Sequence, residues 1–476
     1  MRTLAIALLA ACNVPNVHFT KGDGDGGVAD SMIVPDAPPT TPGGFIWLRS
    51  LSQMLTQTIT AGPAGIVTPG YLTSTAILDG SNMLTSAGAT DMVVASFTEA
   101  DATNLYAVRH GNIGQEYGLL SSLDAGNTPI VSGVVYGGSN AAEDIDVGEG
   151  PLLTGSDGFA DGYIGAYANG VAEWVQMITG PGDDKFLASA RGPSSTMYGA
   201  GWFENTATFD GQPIVSLGGR DVIVARFDQF TGAVDLVKHF GSTGREEVSG
   251  GGAASVDVNK LVISGFFDTS IDFGGATSML TATHGGLDMW VAQLDGSGNG
   301  IWAVSFGGPG DDRDNNIVLD AAGDVYMTGT FTTSITMGTF ALTSVGGTDH
   351  FLAKLDGTNG NVIWAISFGT TGNETSGRIA VDANNHVAFC GPLYGAFEGG
   401  KTAGGVDALL AEFDATTGAR LWDHVVSTAG DDFGGGVVYG ESGDLFASIG
   451  LGGTYDFGIP VSGDPNPLDV LIRVAP

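Results

Sequence analysis

The chain has 476 residues, 78 of them glycine and 18 proline, with 52 acidic against 17 basic side chains and a formal net charge of −35. So few cations exclude a nucleic-acid partner, whose counterions Lys and Arg must displace, and speak against a charge-driven hold on anionic lipid headgroups. Two cysteines, Cys12 and Cys390, exclude a disulfide scaffold and a four-thiolate zinc site, while a hydrophobic content of 43% is enough for a packed core.

The N-terminus reads as an address. Met1-Arg2 is a short positive region, and Leu4 to Ala11 is an apolar run too short for a bilayer span of about 20 residues. Leu9-Ala10-Ala11-Cys12 then resembles the bacterial lipobox. That resemblance implies a signal peptide over 1–11, a diacylglyceryl thioether on Cys12 and acylation of the new amino terminus. Asn13, where the family's inner-membrane retention signal has Asp, points to the outer membrane or cell surface of a Gram-negative cell. Two or more acyl chains anchor stably where one binds marginally. Residues 12–44 carry Gly22-Asp23-Gly24-Asp25-Gly26-Gly27 and Asp36-Ala37-Pro38-Pro39 and no hydrophobic period, so they are expected to be a flexible tether.

From residue 45 onward one unit recurs. An Asp followed by apolar residues appears at Asp91, Asp161, Asp221, Asp288, Asp349, Asp407 and Asp469, spaced 58 to 70 residues apart, and a period of that kind marks a repeat architecture rather than separate domains. An aromatic position follows: Trp47, Tyr106, Trp174, Trp302, Trp364 and Trp422, with Leu236 in one copy. Next comes a Gly-x-acid punctuation, giving Glu116, Asp184, Glu246, Asp312, Glu374 and Asp432, with Gln57 in the first copy. Short β-branched and aromatic runs between Gly, Asn and Asp turns predict four strands per unit and little helix. The expectation is an all-β, seven-bladed β-propeller over 45–476, with four-stranded blades. The first unit lacks its Asp-led strand and the last strand, from Asp469, lacks a unit, so the C-terminal strand is expected to complete blade one and close the ring. The pattern resembles the bacterial seven-bladed β-propeller repeat of secreted and surface proteins, which implies the fold and says little about activity.

Chemistry is sparse. The histidines show no paired metal spacing, and neither a GxSxG elbow nor a P-loop is present. Asp183, Asp184, Asp311, Asp312, Asp431 and Asp432 are candidate Ca²⁺ ligands, because hard cations want clustered carboxylates; bonding of turn N–H groups is the preferred reading. Trp202 and Trp290 fall outside the aromatic register and are expected to be exposed contacts. Cys390 is expected to be a buried thiol.

Two functions follow. The preferred one is a noncatalytic, monomeric envelope lipoprotein that uses its membrane anchor and a propeller face to bind a protein or glycan, with no cofactor. The alternative is an enzyme: Thr417-Gly418-Ala419-Arg420-Leu421-Trp422 is similar to the T-G-x-x-x-W docking motif of pyrroloquinoline-quinone propellers, which implies a dehydrogenase.

Overall fold

The computed structural model describes residues 42–51, 54–78, 83–112, 114–136, 145–148, 151–152, 159–192, 195–249, 253–255, 260–277, 279–282, 285–399, 405–453 and 468–475, with short strand segments at 17–19 and 33–35. The expected signal peptide, residues 1–11, and Cys12 lie outside the described residues. Apart from one 3-10 turn at Phe397–Gly399, the regular structure of the described residues is β-strand.

The longer strands fall into antiparallel runs that follow chain order, among them two four-stranded and two five-stranded sheets. One run has Met54–Thr56 and Thr60–Gly62 on Gly65–Leu72, then Asp91–Phe97 and Asn104–His110. Comparable runs cover 246–306, 313–368 and 378–426. The runs 115–179 and 185–240 share an eight-stranded sheet, joined through Ile178↔Phe209 and Thr179↔Thr208. That bridge forms because the 196–209 and 212–228 strands make a longer hairpin than the short runs expected from sequence. Its turn, Asp210-Gly211, has φ of 49° and 68°, the left-handed pair that a tight hairpin needs. The last run combines both ends of the chain: Leu468–Val474 lies between Leu445–Leu451 and Phe45–Ser50.

Strand position explains strand composition. The third strands, such as Asp91–Phe97 and Asp288–Asp295, are buried along nearly their whole length, so they read as continuous apolar runs instead of alternating ones. Fourth strands such as Val234–Phe240 alternate half-buried and exposed residues, as an outer strand does. The first strands stand side by side in a circuit: 60–62 against 115–123, then 185–191, 253–255, 313–319, 378–381 and 433–439, which returns to 60–62. This is a propeller-like arrangement, with sheets radiating from a central channel.

Candidate functional site

Two repeated devices hold neighbouring sheets together, and they account for the motifs most suggestive of chemistry. The first is the acid. Asp184, Asp312 and Asp432 donate their backbone N–H to Ala160, Leu287 and Val406 at 2.7, 2.9 and 2.8 Å, each acceptor directly preceding the third-strand Asp of the preceding unit. Their side chains accept in a fixed pattern. Asp312 takes the N–H of Gly308 at 2.5 Å and of Thr332 at 3.2 Å; Asp432 takes those of Thr428 at 2.6 Å and Gly452 at 2.9 Å. Glu374 accepts from Thr370 Oγ1 and the Tyr394 N–H, and Glu246 accepts from the Ser242 N–H and hydroxyl. The acid thus ties the loop four residues before it to the loop twenty residues after it. The preceding aspartates, Asp183, Asp311 and Asp431, accept from Ala160, Leu287 and Val406 N–H at 3.1, 3.2 and 3.1 Å. The six Ca²⁺ candidates therefore stand in three separate joints as loop acceptors, and no group of three or more metal-ligating side chains occurs among the described residues.

Burial and facing carboxylates raise these acids. Glu116 is pushed up to about 8, mainly by burial and then by Asp91. Burial is also the first cause for Asp184, Glu246 and Asp312, each pushed up to about 7.

The second device is the aromatic. The indole N–H of Trp174, Trp302 and Trp364 donates to Gln229, Gly357 and Ala415 carbonyls at 2.8, 3.1 and 3.1 Å, each in the last turn of the following unit. A left-handed glycine lies beneath each ring: Gly232, Gly360 and Gly418, with φ of 66°, 75° and 72°. Thr417-Gly418 thus belongs to this joint, since a Cβ on Gly418 would fall 2.9 Å from Trp364 Cε3.

Trp202 and Trp290 correct the expectation of exposed contacts: they are 2% and 0% exposed. Trp202 is roofed by the Arg220 guanidinium, 3.9 Å from the ring centroid, and by Lys185. Trp290 is sealed against Phe273 at 4.9 Å between centroids. Cys390 is buried, its thiol pushed up to about 12 by burial, so it is an inert core thiol.

Two cavities lie among the described residues, one in the channel and one at its mouth. The channel cavity, 400 Å³, is lined by Thr58, Ser121, Ser122, Ser189, Asn316 and Arg378, among others. The Ser122 and Ser189 hydroxyls meet at 2.8 Å across two units. At the end where the first strands begin, a cavity of 650 Å³ is walled by Tyr71, Tyr394, Phe433 and a row of glycines. The Tyr71 and Tyr117 rings meet edge to face at 4.9 Å, and burial raises the Tyr71 phenol. Gly435 in this wall and Gly436 in the channel wall leave no room for a side chain: a Cβ would fall 2.5 Å from Ser448 Oγ and 2.4 Å from Ile59 N, respectively. Arg378 belongs to both walls. It stands at the start of the strand Arg378–Val381, where its Nη1 donates to the Asn315 carbonyl at 2.7 Å. Burial lowers its guanidinium to about 10, which leaves it cationic at neutral pH. Sequence reasoning missed Arg378, Tyr71, Tyr394 and Phe433. The available signal was an Arg on a channel strand of a chain with 17 cations.

No family model and no curated protein matches the chain. Among solved structures it is similar to the quinohemoprotein alcohol dehydrogenase of Comamonas testosteroni, at 12% identity and TM-score 0.41 over 93% of this chain and 78% of that one. It is also similar to the Pan2 WD40 domain of Neurospora crassa, at 12% identity and TM-score 0.45 over 89% and 90%. A bat influenza neuraminidase-like protein of subtype N10 follows at 7% identity and TM-score 0.36, over 75% and 95%.

Proposed function

We propose that the chain is a seven-bladed β-propeller lipoprotein of the bacterial envelope, noncatalytic, monomeric and without a cofactor, that binds a protein or glycan at the channel mouth beside Tyr71, Tyr394 and Phe433. The C-terminal strand, set between Leu445–Leu451 and Phe45–Ser50, closes the ring. Cys12 carries the lipid and residues 13–44 form the tether, with the anchor in the outer membrane or at the cell surface. One observation carries the binding reading: acids such as Asp312 and Asp432 and indoles such as Trp302 and Trp364 are engaged in joints between units, while the mouth, with three aromatic rings and a cation, keeps a cavity of 650 Å³. A rigid scaffold with a concave, partly apolar mouth suits recognition.

Thr417–Trp422, the run that prompted the dehydrogenase alternative, serves a joint between units, so the binding reading is preferred. The test measures binding of purified mature protein to glycan and envelope-protein arrays, beside its Tyr394→Ala and Phe433→Ala variants. Ligands held by the parent and lost by both variants support the reading. Binding indifferent to both, or quinone-dependent alcohol oxidation, overturns it.

A further inference from the structure

We propose that the channel mouth takes a ligand bearing an oxyanion, a carboxylate or phosphate, whose charged group is held by the Arg378 guanidinium while its body lies among Tyr71, Tyr394 and Phe433. The proposal rests on the mouth reading above and names its ligand class.

The argument begins with pairing. Arg109, Arg220, Arg226, Arg313, Arg420 and Arg473 each sit within ion-pair distance of a carboxylate. Arg378 has no carboxylate partner among the described residues. A guanidinium offers five N–H donors, and among the described residues Arg378 gives one of them to the Asn315 carbonyl. The side chain is half-buried at the start of its strand. Asn315, whose carbonyl takes that bond, has its own Nδ2 buried without an acceptor among the described residues. Asn315 is the extra residue of a β-bulge between Asp314 and Asn316, and bulges redirect side chains next to binding sites. Arg378, with its bond to the Asn315 carbonyl and no carboxylate partner among the described residues, lies on the wall that the two cavities share and offers its remaining N–H donors to an acceptor from solution. A planar oxyanion matches the guanidinium fork with two parallel charge-assisted bonds.

The carboxylates of the mouth are already engaged. Asp469 Oδ2 accepts from the Thr56 N–H and hydroxyl, and Asp431 Oδ1 accepts from the Val406 N–H. In the same cavity wall, Phe433 is 44% exposed, and the Tyr394 hydroxyl meets Thr375 Oγ1 at 3.4 Å. This gives a half-apolar wall for a sugar ring or another planar carrier.

Calorimetric titration of the mature protein tests the proposal with inorganic phosphate, citrate and glucuronate, and with glucose as neutral control. We expect at least one oxyanion to bind and glucose not to bind. Arg378→Gln is expected to weaken that binding at least about tenfold, the loss of one charge-assisted hydrogen bond, and Arg378→Lys to restore part of it. No binding of any of the three, or binding unchanged in Arg378→Gln, overturns the proposal. Should Arg378→Gln not fold, phenylglyoxal labelling of the unaltered protein decides instead. Protection of Arg378 by the bound oxyanion supports the proposal, and unprotected labelling overturns it. Array ligands that need Tyr394 and Phe433 but tolerate Arg378→Gln sink the oxyanion and leave the mouth reading standing. Oxyanion binding untouched by Tyr394→Ala and Phe433→Ala sinks the mouth reading.

Discussion

His424 Nε2 donates to the carbonyl of Gly43 at 2.7 Å, joining positions 381 residues apart. Gly43 also lies against Trp422, where a Cβ would come within 3.1 Å of Cδ2, and its φ is 79°. This repeats, across the chain ends, the aromatic-on-glycine joint of Trp174 with Gly232 and of Trp364 with Gly418. The N-terminal edge of the domain is thus held by the same contact as the interior joints.

Gly43→Ala should therefore lose more stability than Gly323→Ala. Both positions have φ near 80° and incur the left-handed penalty of about 1–2 kcal/mol, but nothing lies within 4 Å of a Cβ at Gly323. The excess at Gly43 measures the aromatic contact. Urea midpoints compare the two, and equal losses would remove the joint from the stability of the ring.

The strand Leu468–Val474 should be indispensable. Val470, Leu471 and Ile472 are each 0% exposed, and the strand pairs on both sides, Ile472 with Ala447 and with Leu48. Ile472→Ala should cost about 2–5 kcal/mol, as for a truncated core side chain. Deletion of 466–476 should abolish cooperative unfolding, because it exposes two sheet edges as well. A thermal transition that survives the deletion unchanged would refute closure by this strand.

Stability should fall as pH rises from about 5 to 8. A carboxyl whose folded pKa lies above its unfolded value binds more protons when folded, so stability declines as pH rises through the interval between the two values. Glu116, pushed up to about 8, and Asp184, Glu246 and Asp312, pushed up to about 7, all act in this direction. Below about pH 4, where both states are protonated, they contribute no slope. Glu116→Gln should flatten the upper part of the profile, measured as thermal midpoint against pH. A midpoint that climbs between pH 6 and 8 would contradict the burial of these acids.

How far the sequence could be read follows from which contacts repeat. Asp312, Asp432 and Glu374 make the same two loop bonds at the same offsets, so their spacing alone located the joints. Trp174, Trp302 and Trp364 were legible for the same reason. Arg378 and Asn315 occur once, and their meaning depends on which strands face one channel, a relation no local spacing carries. Trp202 misled because burial at an off-register position is created by a cross-strand partner: Glu204 pairs with Arg220, which brings the guanidinium down over the indole. Composition registered Arg220 only as one of few cations.

Arg220 itself supplies the last expectation. Its Nε donates to Glu204 Oε1 and its Nη1 to Glu247 Oε1, both at 2.5 Å, with Asp183 Oδ2 at 3.5 Å from Nη2. It is a half-buried cation shared by three acids and stacked on Trp202. Arg220→Ala removes the stack and leaves Glu247, 8% exposed at its side chain, with Arg245 as its remaining cation; a loss of about 1–3 kcal/mol is expected. Arg220→Lys should recover less than half of it, since an ammonium has no planar fork to serve two carboxylates while lying flat on a ring. Trp202 is among seven tryptophans, so Trp202→Phe in both backgrounds isolates its share in a double-mutant cycle. Full rescue by lysine would show that charge alone, and not the stacked geometry, holds this joint.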